Sequence, residues 1–277
     1  MLKESWNIFV ESVGKYDKLQ EDRLLEREEK KEKIRNTILS KDFFKQHDAL
    51  SGNVWERGEK LKLEIKRKLL RIAYGFARQH NIPPGAITDI YFTGSLAGYN
   101  YHPDSDIDLH LVVDFEKVNE DGDLVRDLFN SRRLVWNDRH QITILGHEVE
   151  IYVEDVDEQY DDQSRPIYSL VSGDWVRRSQ KIEGDFDYAA AMKKAQVLIH
   201  QIEIVDALHG EGKYVEAFRH STRIFEKLKK MRKAGLVREG AYSPENIAFK
   251  ILRKQGYIDH LGEMKTKSYD DMLSIQK

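Results

Sequence analysis

Two hydrophobic periods alternate along this chain, and the change from one to the other divides it in three. Residues 15 to 40 contain no Gly or Pro and are densely charged, with a thin apolar set in Leu19, Leu24, Leu25, Ile34 and Ile38. Long, straight side chains of that kind favour a helix that is solvated except for one narrow stripe. A second helix is predicted from Trp55 to Arg78, carrying Leu61, Leu63, Ile65, Leu69, Leu70, Ile72, Ala73 and Phe76. Asn81-Ile82-Pro83-Pro84-Gly85 stops it. The period then shortens. Ile87 to Thr93 is β-branched and aromatic, as a strand requires, and Gly94-Ser95 closes it ahead of a short helical turn. Asp106 to Val113 alternates, placing Asp106, Asp108 and His110 on one face and Ile107, Leu109 and Leu111 on the other. Helical spacing returns from Asp121 to Asn137, and Gln141–Leu145 with Glu148–Val153 forms a hairpin around Gly146-His147.

Residues 155 to 162 and Ser172-Gly173-Asp174 read as turns, and from Tyr188 onward the chain is helical. One helix carries Met192, Ala195, Ile199, Ile202 and Leu208 and stops at Gly210 and Gly212. A second carries Tyr214, Phe218, Phe225, Leu228 and Met231 and is expected to stop at Gly235. A third opens at Ser243-Pro244-Glu245, a serine cap with proline in the first turn, and closes at Gly256. The expected class is α+β: a small mixed sheet at 84–160, preceded by a helical segment at 1–83 and followed by a helical domain at 161–277.

Composition narrows the chemistry. A net charge of −3 provides no global field for nucleic acid, so a polyanion site has to be local. With no cysteine there is no disulfide scaffold, thiolate nucleophile or cysteine zinc site. No signal-peptide pattern or membrane-length apolar run is present, so the expected location is the cytosol of a bacterium or a phage-infected host, with no membrane partner.

The chemistry concentrates between Phe92 and His110. Two aspartates at i and i+2 on a strand project from one face, and their hard carboxylate oxygens call for a divalent cation, magnesium first and manganese second. Two such ions about 4 Å apart hold the attacking and leaving oxygens of a phosphoryl displacement. Gly94 lets the backbone approach a phosphate, while the Ser95 hydroxyl and a helix start can donate to it; a plain helix cap is the competing role for Ser95. The basic run Glu226 to Lys233 places Lys227 and Lys230 along one side, either toward phosphates or as a solvated helix end. Ser243 is a cap that could also reach a nucleotide.

The pattern of an apolar residue, Gly94-Ser95, about ten residues, then Asp106-Ile107-Asp108-Leu109 resembles the signature of the DNA polymerase β-like nucleotidyltransferase superfamily. It is most similar to small bacterial and phage members, over about Ile87 to Val153. The resemblance implies a third carboxylate on a later strand, flanked by apolar residues. Val149-Glu150-Ile151 fits it, with Glu148 as the competing position nearer the turn. It also implies a C-terminal helical domain that closes over the nucleotide. The expected activity is magnesium-dependent transfer of a nucleoside monophosphate from a nucleoside triphosphate such as ATP to an acceptor hydroxyl, releasing pyrophosphate. Asp106, Asp108 and Glu150 would be the catalytic metal ligands. The acceptor is open among tRNA, protein, small molecule and nucleotide. The alternative is a non-catalytic nucleotide- or protein-binding module on the same fold, as in a phage structural or toxin–antitoxin component.

Overall fold

The computed structural model of the chain describes residues 39–158, 165–181 and 185–275. The described residues divide into two compact units, one within Lys41–Asp185 and one within Phe186–Lys277. The helix expected over 15–40 lies outside the described residues except for 39 and 40, which are not helical.

In the first unit, helix α1 (Leu63–Gln79) buries Ile65, Leu69, Ala73 and Phe76 of its expected stripe, with Ala77, while Leu70 and Ile72 are half-buried and Leu63 is exposed. It starts eight residues later than expected. Gly58 and Glu59 take positive φ, so 55–62 folds back, with Trp55 bridging Leu61. Strands β1 (Ile87–Thr93) and β2 (Ile107–Val113) follow, then helix α2 (Gly122–Arg139), whose Asp121 side chain accepts from the Leu124 N–H. The short β3 (Thr143–Ile144) turns into β4 (His147–Asp155), as the expected hairpin has it. Strands β5 (Ile167–Ser169) and β6 (Asp174–Arg177) complete a six-stranded mixed sheet of order β3-β4-β2-β1-β5-β6.

β2 runs antiparallel to β1 and parallel to β4. A parallel neighbour demands a long crossover, which α2 provides. Ile90, Phe92, Ile107, Leu109, Leu111 and Ile151 join Phe76 of α1 and Phe129 of α2 in one apolar cluster. Burying that set is the largest favourable term in this unit, at roughly 1.5–3 kcal/mol per large side chain. The compact unit therefore takes in α1, assigned by pattern to a separate 1–83 segment, and extends through β5 and β6 beyond the expected edge at 160.

The second unit is a helical bundle: α3 (Tyr188–Gly210), α4 (Tyr214–Glu239), α5 (Pro244–Lys254) and α6 (Tyr257–Leu273). Ala191, Ala195, Leu198, Ile202 and Val205 form the buried stripe of α3, facing a core that holds Ala217, Ile224, Leu228, Ile247 and Ile251. Gly235 does not end α4 as expected. It is buried within the helix, where the absence of a side chain admits Ser243 and Glu245. Among the described residues, no helix is long and apolar enough to cross a membrane.

Candidate active site

The polar face of the sheet is organised by register. Thr93 on β1 pairs with Asp108 on β2, and Asp108 pairs with Glu150 on β4. One step along, His110 pairs with Tyr152. In-register neighbours on parallel strands project to the same side, so Asp108 and Glu150 present carboxylates side by side. Like charges placed opposite one another destabilise a sheet. Asp106 is a correction to the expected strand: β2 begins at Ile107, and Asp106 lies on the segment leading into it, half-buried.

Gly94 decides how close Asp108 can come. With φ of +81° it takes a conformation that other residues rarely adopt, and a Cβ added there would fall 1.7 Å from Asp108 Oδ2. The carboxylate thus occupies the space a side chain would fill. Beyond Gly94 the expected helix is a single 3₁₀ turn, Ser95–Ala97. The Ser95 hydroxyl donates to Ser105 Oγ at 2.8 Å, and the His102 N–H donates to the same oxygen at 2.8 Å. His147 Nδ1 donates to the Ser105 carbonyl at 2.7 Å. Ser105 therefore ties the end of β1, the intervening loop and the start of β4 together immediately before Asp106.

Beyond the carboxylates lies a buried polar cluster. The Tyr152 hydroxyl donates to Glu150 Oε2. Its ring stacks on His110, centroids 4.6 Å apart and planes 14° from parallel, and the Arg133 guanidinium lies 4.8 Å from its centroid. His110 Nδ1 is 2.6 Å from Glu154 Oε1, and Arg165 reaches the same oxygen at 3.1 Å while its Nε donates to Thr93 Oγ1 at 2.9 Å. Burial pushes the His110 imidazole below its ordinary value, outweighing the pull of Glu154. Burial, then the charges of Asp108 and Glu150, push the Tyr152 phenol up, so it remains a donor.

His110 reads from sequence as an ordinary polar-face residue, yet both faces of β2 are covered at this point. Tyr152 was legible in principle as the next same-face position after Glu150. Arg165 was not, because it sits in a segment with no periodicity.

Glu150 is half-buried, whereas Glu148 is exposed beside the turn. The donors Asp106, Asp108 and Glu150 suit a hard divalent cation in kind, since all are carboxylates. Among the described residues, however, no three His, Cys, Asp or Glu side chains lie together as a metal-holding group.

The remaining candidates belong to the helical unit. Lys227 and Lys230 are exposed on α4, and Lys227 Nζ donates to Gln201 Oε1 at 3.3 Å. Lys227 also lines a shallow cavity of about 320 Å³ with Gln201, Ile204, His220, Arg223 and Ile224. Ser243 is fully buried and accepts the Asn246 N–H at 3.3 Å. Its hydroxyl acts as the cap of α5, and a buried cap offers a nucleotide no surface in this unit.

No family model matches this chain, and no curated protein matches its sequence. A solved structure of a STING-associated CdnE c-di-GMP synthase from Capnocytophaga granulosa is similar at 14% identity, over 76% of this chain and 84% of that one, with a TM-score of 0.21. A likeness that loose carries no argument about fold or reaction.

Proposed function

We propose that the chain is a magnesium-dependent nucleotidyltransferase of the polymerase β-like type. The supporting observation is the approach of the Asp108 carboxylate into the space left by Gly94, in register with Glu150. A sheet does not by itself favour carboxylates in register, and the approach of Asp108 depends on a backbone conformation that only glycine adopts easily.

In this reading Gly94 and Ser95 bind the β- and γ-phosphates, and Asp106, Asp108 and Glu150 would hold magnesium or manganese. The ion, when bound, supplies positive charge to the phosphates and orients the reacting oxygens. Glu150 accepts the proton of the acceptor hydroxyl as its oxygen bonds to the α-phosphorus and the bond to pyrophosphate breaks. Ser243 drops out of the nucleotide set for the reason given above.

One observation favours a second reading, a non-catalytic binding module on this framework: the three carboxylates are not gathered into a metal-holding group among the described residues. Two measurements separate the readings. A nucleoside triphosphate with magnesium should raise the melting temperature far more than the triphosphate alone, by mass action on the folded state. Incubation with each α-labelled triphosphate, magnesium and cell extract should label an acceptor. No melt shift with any nucleotide and no labelled product would leave the binding module as the better reading.

A further inference from the structure

Behind the two facing carboxylates stands a side chain that the proposed chemistry does not use. Tyr152 is two residues from Glu150 on β4, and its hydroxyl donates to Glu150 Oε2. The ring has little freedom to move. His110 stacks on it at 4.6 Å, and the Arg133 guanidinium lies 4.8 Å from its centroid. His110 is itself fixed by Glu154 at 2.6 Å, and Glu154 in turn by Arg165 at 3.1 Å. Arg165 reaches back to Thr93, the register partner of Asp108. A circuit of hydrogen bonds and one ring stack therefore begins beside Asp108 and ends on Glu150.

We infer that Tyr152 is a positioning residue: held by His110 and Arg133, its hydroxyl occupies one oxygen of Glu150 and turns the other toward Asp108. This rests on the metal-binding reading above. A glutamate has one more rotatable bond than an aspartate, and ordering it costs more side-chain entropy. A fixed donor on the far oxygen meets that cost before the ion arrives, as outer-shell partners of metal ligands commonly do. The circuit also explains why a histidine and a glutamate are buried beside a half-buried arginine on a face otherwise needed for a site. A buried charge is tolerated when it is paired and hydrogen-bonded, and here each member of the set is.

The test uses manganese alone as the probe, with no nucleotide. Mn²⁺ affinity of the full chain is measured by electron paramagnetic resonance for wild type, Tyr152→Phe, Glu150→Gln and the double variant, with a melt on each. Tyr152→Phe keeps the ring and its stack and loses only the donor. It should bind manganese about tenfold more weakly with little change in melting temperature. In the Glu150→Gln background the same substitution should cost nothing further, because Tyr152 acts through Glu150. Equal affinity in Tyr152→Phe and wild type would overturn the positioning role and leave the metal site standing. Additive losses in the double variant would overturn it too, since the tyrosine would then act elsewhere. Absence of manganese binding by wild type would overturn the metal reading and this role with it.

Discussion

Each unit contains a glycine where a side chain would collide with a polar neighbour, and the two neighbours are treated in opposite ways. In the helical unit, a Cβ on Gly235 would lie 2.6 Å from Ser243 Oγ and 2.7 Å from Glu245 Cβ. Both of those residues are fully used. Ser243 caps α5, and the Glu245 carboxylate accepts from Arg238 at 2.9 Å and pairs with Lys194 at 3.1 Å. Burial pushes the Glu245 carboxyl up, but its hydrogen bonds and the two cations outweigh this and hold it below the ordinary value. In the sheet unit, the residue drawn in by Gly94 is Asp108, and the neighbour set opposite it is another carboxylate, Glu150. The first arrangement cancels charge and stabilises a helix junction. The second sets two carboxylates in register on neighbouring strands, a placement that a sheet does not favour by itself. That contrast is the physical reason to place the chemistry at Gly94 and not at Gly235.

The largest effect should come from breaking the carboxylate pair. Asp108→Asn should abolish nucleotidyl transfer while the chain still folds, because the amide keeps the shape of the side chain and loses the charge a metal ion needs. Melts and single-turnover assays check both halves, and retained activity would break the contrast.

Next is the third carboxylate. Glu150→Gln should reduce turnover by about 10²–10⁴-fold, the usual worth of a general base. Glu148→Gln, two residues away and exposed, should stay within a few-fold of wild type. Loss of activity in the Glu148 variant with Glu150→Gln still active would shift the site toward the turn.

The smallest effects sharpen the contrast through stability. Gly94→Ala meets both a positive φ and a 1.7 Å collision, and should cost about 2–4 kcal/mol along with transfer. Gly235→Ala meets only crowding and should cost about 1–3 kcal/mol with transfer per folded molecule within a few-fold of wild type. Chemical denaturation of the two variants, read beside their activity, separates the roles.

Much of this molecule is determined by local pattern. The stripe of α1, the alternation of β2, the β3–β4 hairpin and the Ser243 cap each depend on residues within one element, where period and cap chemistry decide the outcome. The pairing of Gly94 with an aspartate strand was legible for the same reason, as a spacing within about fifteen residues. Other features were decided only by tertiary structure. Strands β5 and β6 have three and four residues, too few for a period to appear; β5 exists because the edge of β1 offers it hydrogen bonds, and β6 because β5 does so in turn. The passage of α4 through Gly235 depends on what packs against it, since a buried glycine inside a helix costs less than displacing Ser243 and Glu245. Asp108 faces Glu150 only because β4 adds to β2 in parallel at one particular register. No segment of sequence specifies that offset by itself. Burial of Val149 and Ile151 against the core does, because slipping by one residue would turn Glu150 inward and expose the apolar face.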